Sequence, residues 1–266
     1  MTGTILDKIF SDKRVRVEAA KRASDPATMR ERALEARSIR GSHRFRDALS
    51  DRSQINIIAE FKKASPSKGE INDGADPAEV ATQYQAGGAA AISVLTEEDH
   101  FKGSLEDLRS VRVVVDLPIL RKDFIFDPFQ IYEAGAAGAD AILLIAAMLS
   151  DSQIQELAAV AEDEFGLDAL IEVHTLEELE RVSNLKPRLI GVNNRDLKTF
   201  AVSLDVSRDL IKHMPAGVVA VSESGLQTSG DLKELKAIGY SGFLIGETLM
   251  KTGDPTDELR RLRDQG

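Results

Sequence analysis

DALIEVHTLEELERVSNLKPRLIGVN, residues 168–193, holds two short apolar runs, DALIEV and LIGVN, on either side of a helical stripe. Leu176, Leu179 and Val182 recur at the spacing of one helix face, and Pro187 marks the turn into the second run. Runs that are apolar without strict alternation are strands buried on both faces. With a helix between them, two such strands lie parallel in one sheet.

The same unit recurs along the chain. Apolar runs begin near Ile55 (INIIAEF), Ala91 (AISVL), Pro118 (PIL), Ala141 (AILLI), Asp168, Leu189, Val218 (VVAVS) and Gly242 (GFLIG), with starts 21 to 36 residues apart. Helical stripes fall between them at Leu105, Leu108 and Val111, at Ile154, Leu157, Ala158, Ala161 and Phe165, and at Leu232, Leu235 and Ile238. Gly166, Gly217 and Gly239 stand just before the fifth, seventh and eighth runs as turn signals. Eight such units predict an α/β fold, a single (β/α)8 TIM barrel over residues 51–266, with residues 1–50 as a helical extension packed on it. A doubly wound open sheet would want a Gly-rich phosphate fingerprint after its first strand, and Glu60-Phe61-Lys62-Lys63 is not one.

Composition narrows the chemistry. The absence of cysteine removes disulfides, thiolate nucleophiles and Cys-based metal sites together. His43, His100, His174 and His213 are scattered, so no metal site is expected. The longest apolar stretch, Ala139–Leu149, is interrupted by Asp140 and falls short of the ~20 residues of a membrane span. Asp7, Lys8, Asp12 and Lys13 break the only early apolar patch, which argues against a secretory signal and for a cytoplasmic protein. Of the net charge of −10, residues 1–52 carry +5, from 13 Lys/Arg against 8 Asp/Glu. That excess reads as the solvated face of amphipathic helices, so neither nucleic acid nor membrane is expected as a partner.

In a barrel of this kind the active site lies where strands end and βα loops begin. Glu60 and Lys62 end the first run two residues apart, on one face. Lys122 is in phase with Leu120, Glu172 with Leu170, and Asn193 with Arg195. The seventh run ends Ser222-Glu223-Ser224-Gly225 and the eighth Ile245-Gly246-Glu247. Two lysines and two carboxylates converging on one mouth would shift one another's pKa, as acid–base catalysis requires. Ser224-Gly225, Gly246-Glu247 and the loop Ser65-Pro66-Ser67-Lys68-Gly69 hold small residues at places where barrels bind phosphate through backbone N–H groups. Glu247 is an awkward anion there, and its side chain is expected to point away.

At these residues the chain resembles the indole-3-glycerol-phosphate synthase family. The likeness runs through IAEFKKASPSKG (58–69), ISVLTEEDHFKGS (92–104), LPILRKDFIFDPFQIYEAGAAGADAILLIAAML (117–149), LIEVHTLEEL (170–179), GVNNRDLKTF (191–200), VSESG (221–225) and GFLIGETLM (242–250). The resemblance implies a carboxy-lyase of tryptophan biosynthesis. It closes the ring of 1-(2-carboxyphenylamino)-1-deoxyribulose 5-phosphate, an anthranilate-linked sugar phosphate, with loss of carbon dioxide and water and with no cofactor. Other tryptophan-pathway enzymes are implied as partners.

The resemblance makes Lys122 the general acid, more acidic for being buried near other cations, and Lys62 a partner of the substrate carboxylate. Asn193 and Arg195 fix that end of the substrate and its hydroxyls, and Glu172 and Glu60 serve the later dehydration, with stabilisation of positive charge on the anilino nitrogen as the alternative role of Glu172. Ser65, Ser224, Gly225, Gly246 and the backbone of Glu247 form the phosphate site. Glu223 and Leu244 line the pocket, and Phe101, Phe124 and Leu197 are its apolar wall. Arg121, on the opposite strand face, is expected outside the site.

Where many members carry an Arg and a Phe after the first loop, this chain reads EINDGAD at 70–76. Three rival readings are a sugar-phosphate aldolase with Lys122 as a Schiff-base lysine, the Amadori isomerase of the preceding step, which would more naturally use a carboxylate and a thiol that this chain lacks, and a non-catalytic phosphometabolite-binding barrel. Removal of residues 1–48 is expected to weaken substrate binding more than it disrupts the barrel.

Overall fold

The apolar runs become eight strands in the computed structural model, which describes residues 5–66, 69–72 and 74–264. They are β1 (Asn56–Phe61), β2 (Ala91–Leu95), β3 (Ile119–Lys122), β4 (Ala141–Ile145), β5 (Asp168–Val173), β6 (Leu189–Asn193), β7 (Val219–Glu223) and β8 (Gly242–Ile245). Each pairs in parallel with its sequence neighbours, and β8 closes onto β1 with Gly242 opposite Asn56. The result is a TIM barrel. The strands' even alternation sorts side chains into two cores. Ile58, Leu120, Leu143, Leu170, Leu189, Val221 and Leu244 fill the interior, while Ile57, Ile92, Val94, Ile142, Ile171, Ile190 and Phe243 face the helices.

The helices begin where short polar side chains satisfy their first N–H groups. Asp76, Ser104, Asp127, Ser150, Thr175 and Thr228 cap α4 (Pro77–Ala86), α5 (Leu105–Val114), α6 (Pro128–Ala137), α7 (Asp151–Ala159), α8 (Leu176–Ser183) and α10 (Ser229–Ile238). Between α8 and α10 lies the short α9 (Asp205–Leu210); α11 (Glu247–Lys251) and α12 (Pro255–Arg263) end the chain. The periodicity did not announce the two-residue hairpin strands Ala64–Ser65 and Gly69–Glu70 that follow β1. No helix among the described residues is long and apolar enough to cross a membrane.

Three helices precede the barrel, each with a different task. α1 (Ile5–Ala23) lies at the mouth, where Ile5, Leu6 and Ile9 border the cavity. α2 (Pro26–Ser38) packs on α6, with Ala33 against Gly135. α3 (Arg44–Leu49) closes the opposite end: Phe45 and Leu49 are fully buried in the interior core, and Leu49 lies against Gly242. Asn56 finishes that closure by donating to the carbonyls of Leu49, Asp51 and Ser241.

The basic excess of the N-terminal segment is not only a solvated face. Lys13 is buried between Asp123 and Glu98, 2.8 Å from each. Arg37 is buried too, bonded to the carbonyls of Ala139 and Phe165 and 3.1 Å from the fully buried Asp140. Arg112 reaches the same carboxylate at 2.8 Å. A basic side chain kept on an extension that must dock on strand ends is held there by acids already buried in the barrel, and this corrects the surface reading.

Candidate active site

The inward phase of the strands delivers four ionisable side chains to one mouth. Glu60 continues the line of Ile58 on β1, Lys122 that of Leu120 on β3, Glu172 that of Leu170 on β5, and Glu223 that of Val221 on β7. Lys62, two residues past Glu60, stands beside it with its Nζ 2.5 Å from Oε1. Lys122 Nζ lies 3.1 Å from Glu172 Oε2 and 3.0 Å from Glu223 Oε2. All five line a cavity of about 860 Å³, within the range of small-molecule sites.

Room for the carboxylates comes from glycine. A Cβ on Gly191 would overlap Glu223 Oε1, and one on Gly246 would overlap Glu60 Oε1. The two glycines stand on or just past β6 and β8, the strands adjoining β7 and β1. Bulk there would push each acid out of its strand-end position.

The surroundings of Lys122 correct one expectation. Its side chain is 14% exposed, and burial works against its charge. The charges of Glu172, Glu223 and Glu60 outweigh burial and raise its proton affinity above the ordinary lysine value. Lys122 is therefore flanked by anions, not cations, and is held as an ammonium. Burial raises Glu223 to about 7, helped by the charges of Glu172 and Glu60 and opposed by Lys122. Burial also disfavours the ionised form of Glu172, but Lys122 and His174 overcome it and hold this carboxyl well below the usual range. Two acids that touch one ammonium at nearly equal distance thus differ in proton affinity, because only one has a second cation beside it.

The opposite side of the cavity is built from loops. Ser65, Ser224, Gly225, Gly246 and Glu247 all border it, as does Arg195, whose backbone N–H donates to Asn193 Oδ1 at 3.0 Å. Ser224 and Gly225 follow β7 with φ of 66° and 81°. A side chain on Gly225 would meet Val202 at 2.5 Å, so the turn requires glycine. α11 starts directly after Gly246 with no side chain capping its first N–H groups, the usual setting for an anion at a helix start. The Glu247 carboxylate lies 2.6 Å from Lys251, one turn further along α11, and 3.9 Å from Arg195. Ser67 and Lys68 of the first loop, and Asp73 of the departing stretch, lie outside the described residues.

Phe101 and Phe124 face each other with ring centres 6.3 Å apart, and with Leu197 and Leu244 they supply apolar surface to the cavity. Phe101 is held there by the buried Glu97, which accepts the N–H groups of Asp99, His100 and Phe101. Leu95, Leu143 and Ile145 join the lining, and so do Ile5, Leu6 and Ile9 of α1. The strand residues were readable by phase alone. The α1 residues carry a weak signal, an apolar pair and a third residue one turn later, with nothing to say which end of the barrel they cover. Arg121 packs on the outward phase between β3 and α6, bonded to Thr96, Asp123, Glu133 and the carbonyl of Gln130. Among the described residues no group of three or more His, Asp or Glu is arranged to hold a metal ion.

A family model described as indole-3-glycerol phosphate synthase matches residues 6–262. A protein of that name from Carboxydothermus hydrogenoformans is 49% identical over 261 residues, 97% of this chain and 98% of the relative. Another, from Azospirillum brasilense, is 46% identical over 260 residues, again 97% and 98% of the two chains. Among solved structures, 3-hexulose-6-phosphate synthase superposes with a TM-score of 0.61 at 14% identity, covering 79% of this chain and 100% of that one. A mutant tryptophan synthase alpha-subunit from Pyrococcus furiosus gives 0.59 at 14%, covering 79% and 98%. At such identity these two share the fold alone. Identity near one half over almost the full length of both chains is a different matter, and by it the chain belongs to the indole-3-glycerol phosphate synthase family.

Proposed function

We propose that Lys122 is the general acid of an indole-3-glycerol phosphate synthase reaction, with Glu172 and Glu60 serving the dehydration and Glu223 supplying the proton store beside Lys122. The substrate, 1-(2-carboxyphenylamino)-1-deoxyribulose 5-phosphate, reacts in three stages. The aryl carbon that bears the carboxylate attacks the ketone, and the developing alkoxide takes a proton from Lys122. Carbon dioxide leaves and aromaticity returns. The new hydroxyl then departs as water while a proton leaves the adjacent ring carbon.

The observation that carries this reading is the placement of Lys122 Nζ between two carboxylates in the cavity, 3.1 and 3.0 Å away. An ammonium with its proton secured by anions acts as a hydrogen-bond donor to an oxyanion. Once that proton is given up, Glu223 at about 7 is the nearest group able to replace it near neutral pH. Glu172, kept ionised, suits removal of a ring proton. The phosphate end falls to Ser65, Ser224, Gly225, Gly246 and the first N–H groups of α11, the carboxylate end to Lys62, Asn193 and Arg195. The phenyl ring lies against Phe101, Phe124, Leu197 and Leu244. In the Schiff-base alternative Lys122 must be a neutral amine, which its three carboxylate neighbours oppose.

We assign the first 50 residues to the service of this one barrel. We place the enzyme in the cytoplasm, because a substrate that carries both a carboxylate and a phosphate does not cross a membrane unaided.

Turnover of the substrate, read by indole fluorescence, tests the assignment in wild type and Lys122→Met; the chain has no tryptophan to obscure the signal. Product from wild type with a loss of ~10²-fold or more in the variant is expected. Equal turnover would remove Lys122 from the chemical step.

A further inference from the structure

Glu172 and Glu223 contact Lys122 alike, yet their outer oxygens meet different surroundings. Glu223 Oε1 has no hydrogen-bond partner and rests over Gly191. Glu172 Oε1 faces His174 Nε2 at 3.3 Å, an ion contact off the line of a hydrogen bond. His174 lies just past the end of β5, two residues beyond Glu172. Its position is set from α8. Its main-chain N–H donates to Glu178 Oε2 at 2.7 Å, and its Nδ1 lies 3.4 Å from the same oxygen. Glu178 is in turn fixed by the helix start, where its own N–H donates to the capping Thr175. The imidazole side chain is 8% exposed.

We propose that His174 is a positioning residue for the ring-closing reaction: as an imidazolium fastened to Glu178, it keeps Glu172 ionised and aimed at Lys122, so that the proton of this site resides on Glu223. The inference rests on the reading of Lys122 and Glu172 as reacting groups. Its physical basis is a count of charges. Two carboxylates about 3 Å from one ammonium would otherwise compete for a proton as near equals. A second cation on one of them breaks the tie, and the base for the ring proton is then always the same residue.

The charged groups around the imidazole are Glu172 from β5, Glu178 from α8 with Arg181 behind it, and Lys122 from β3 beyond Glu172. Burial lowers the proton affinity of His174, but its contacts with Glu172 and Glu178 outweigh burial and bring it to about 10. A histidine that only completes the start of α8 would need neither the second carboxylate nor a charge.

The test is kinetic and spectroscopic. In His174→Asn, KM is expected to stay within about twofold while kcat falls about tenfold, a change of ~1.4 kcal/mol in barrier. The acidic limb of the kcat–pH profile should move up by about one pH unit as Glu172 loses its second cation. Glu178→Gln should move the limb the same way by less, and it decides the matter if His174→Asn does not fold. In 15N-labelled wild type, His174 should be doubly protonated at pH 8. A neutral ring at pH 8, or a kcat loss with the acidic limb unmoved in both variants, overturns the proposal. Glu172→Gln separates the role of His174 from that of the reacting groups. If it is inactive while the limb in His174→Asn is unmoved, only the role of His174 fails. If it turns over as wild type, the assignment of the site itself fails.

Discussion

Gly191 shows how tightly single positions constrain the site. It has no catalytic atom, yet Glu223 reaches Lys122 only because the neighbouring strand offers no Cβ. Gly191→Ala should therefore act on catalysis through a displaced carboxylate. A kcat loss of at least ~10-fold is expected, with a stability change of ~1–3 kcal/mol from overpacking. Kinetics and thermal melts on one preparation check this, and parental kcat would show that Glu223 tolerates a shift. Lys122 itself was readable from its phase with Leu120. The sign of its neighbourhood was not, because the deciding carboxylates lie 50 and 101 residues further along the chain. Burial near cations and burial near anions look the same in a local stretch of sequence, and they move a lysine in opposite directions.

The N-terminal extension is three elements with separable effects. α1 borders the cavity and is fastened to the loop that carries Phe101: Lys13 meets Glu98 at 2.8 Å, Arg16 meets Asp99 at 2.5 Å, and Asp12 meets His100 at 3.1 Å. α3 instead plugs the far end of the barrel with Phe45 and Leu49. A cut after residue 48 removes both functions at once, so the expectation that it would chiefly weaken binding needs splitting. Removal of residues 1–24 should leave a folded barrel with KM raised roughly tenfold, through lost contacts worth ~1.4 kcal/mol. Phe45→Ala should cost ~3–5 kcal/mol of stability with KM nearly unchanged. Circular dichroism melts and KM for each variant decide between them; a raised KM in Phe45→Ala would mean that the two ends of the barrel are coupled. The helical character of this segment was readable from its spacing. Which end each helix covers was not, because Phe45 and Ile9 are equally apolar in sequence.

At the scale of the molecule, the raised proton affinities of Glu223 and His174 give stability a predictable pH course, and burial raises Glu97, Glu162 and Asp168 in the same sense. A group with a folded pKa above its unfolded one stabilises most when fully protonated in both states and loses that contribution as pH rises through the folded value. Glu223, raised from 4.5 to about 7, gives up its contribution across that interval. His174, raised from 6.5 to about 10, gives up its own across the next. Glu172, held low, opposes this only in strong acid. The melting temperature should therefore fall from pH 5 towards pH 10, by ~2–4 °C for each kcal/mol lost in a chain of this size. His174→Asn should flatten the decline above pH 6.5. Calorimetry across that range checks it, and an equally steep decline in the variant would assign the effect elsewhere.

The sequence by itself determined the barrel and which strand residues face its mouth. A continuously apolar run buried on both faces, repeated eight times with helices between, has few ways to close, and strand phase then dictates that Glu60, Lys122, Glu172 and Glu223 point inward at one end. Only the tertiary structure decided the charge states within that mouth, the burial of Lys13 and Arg37, and the pairing of His174 with Glu172. Each of these depends on distances of a few ångströms between strands far apart in the chain. Electrostatic energy varies steeply with distance and burial, whereas hydrophobic periodicity needs only the order of residues.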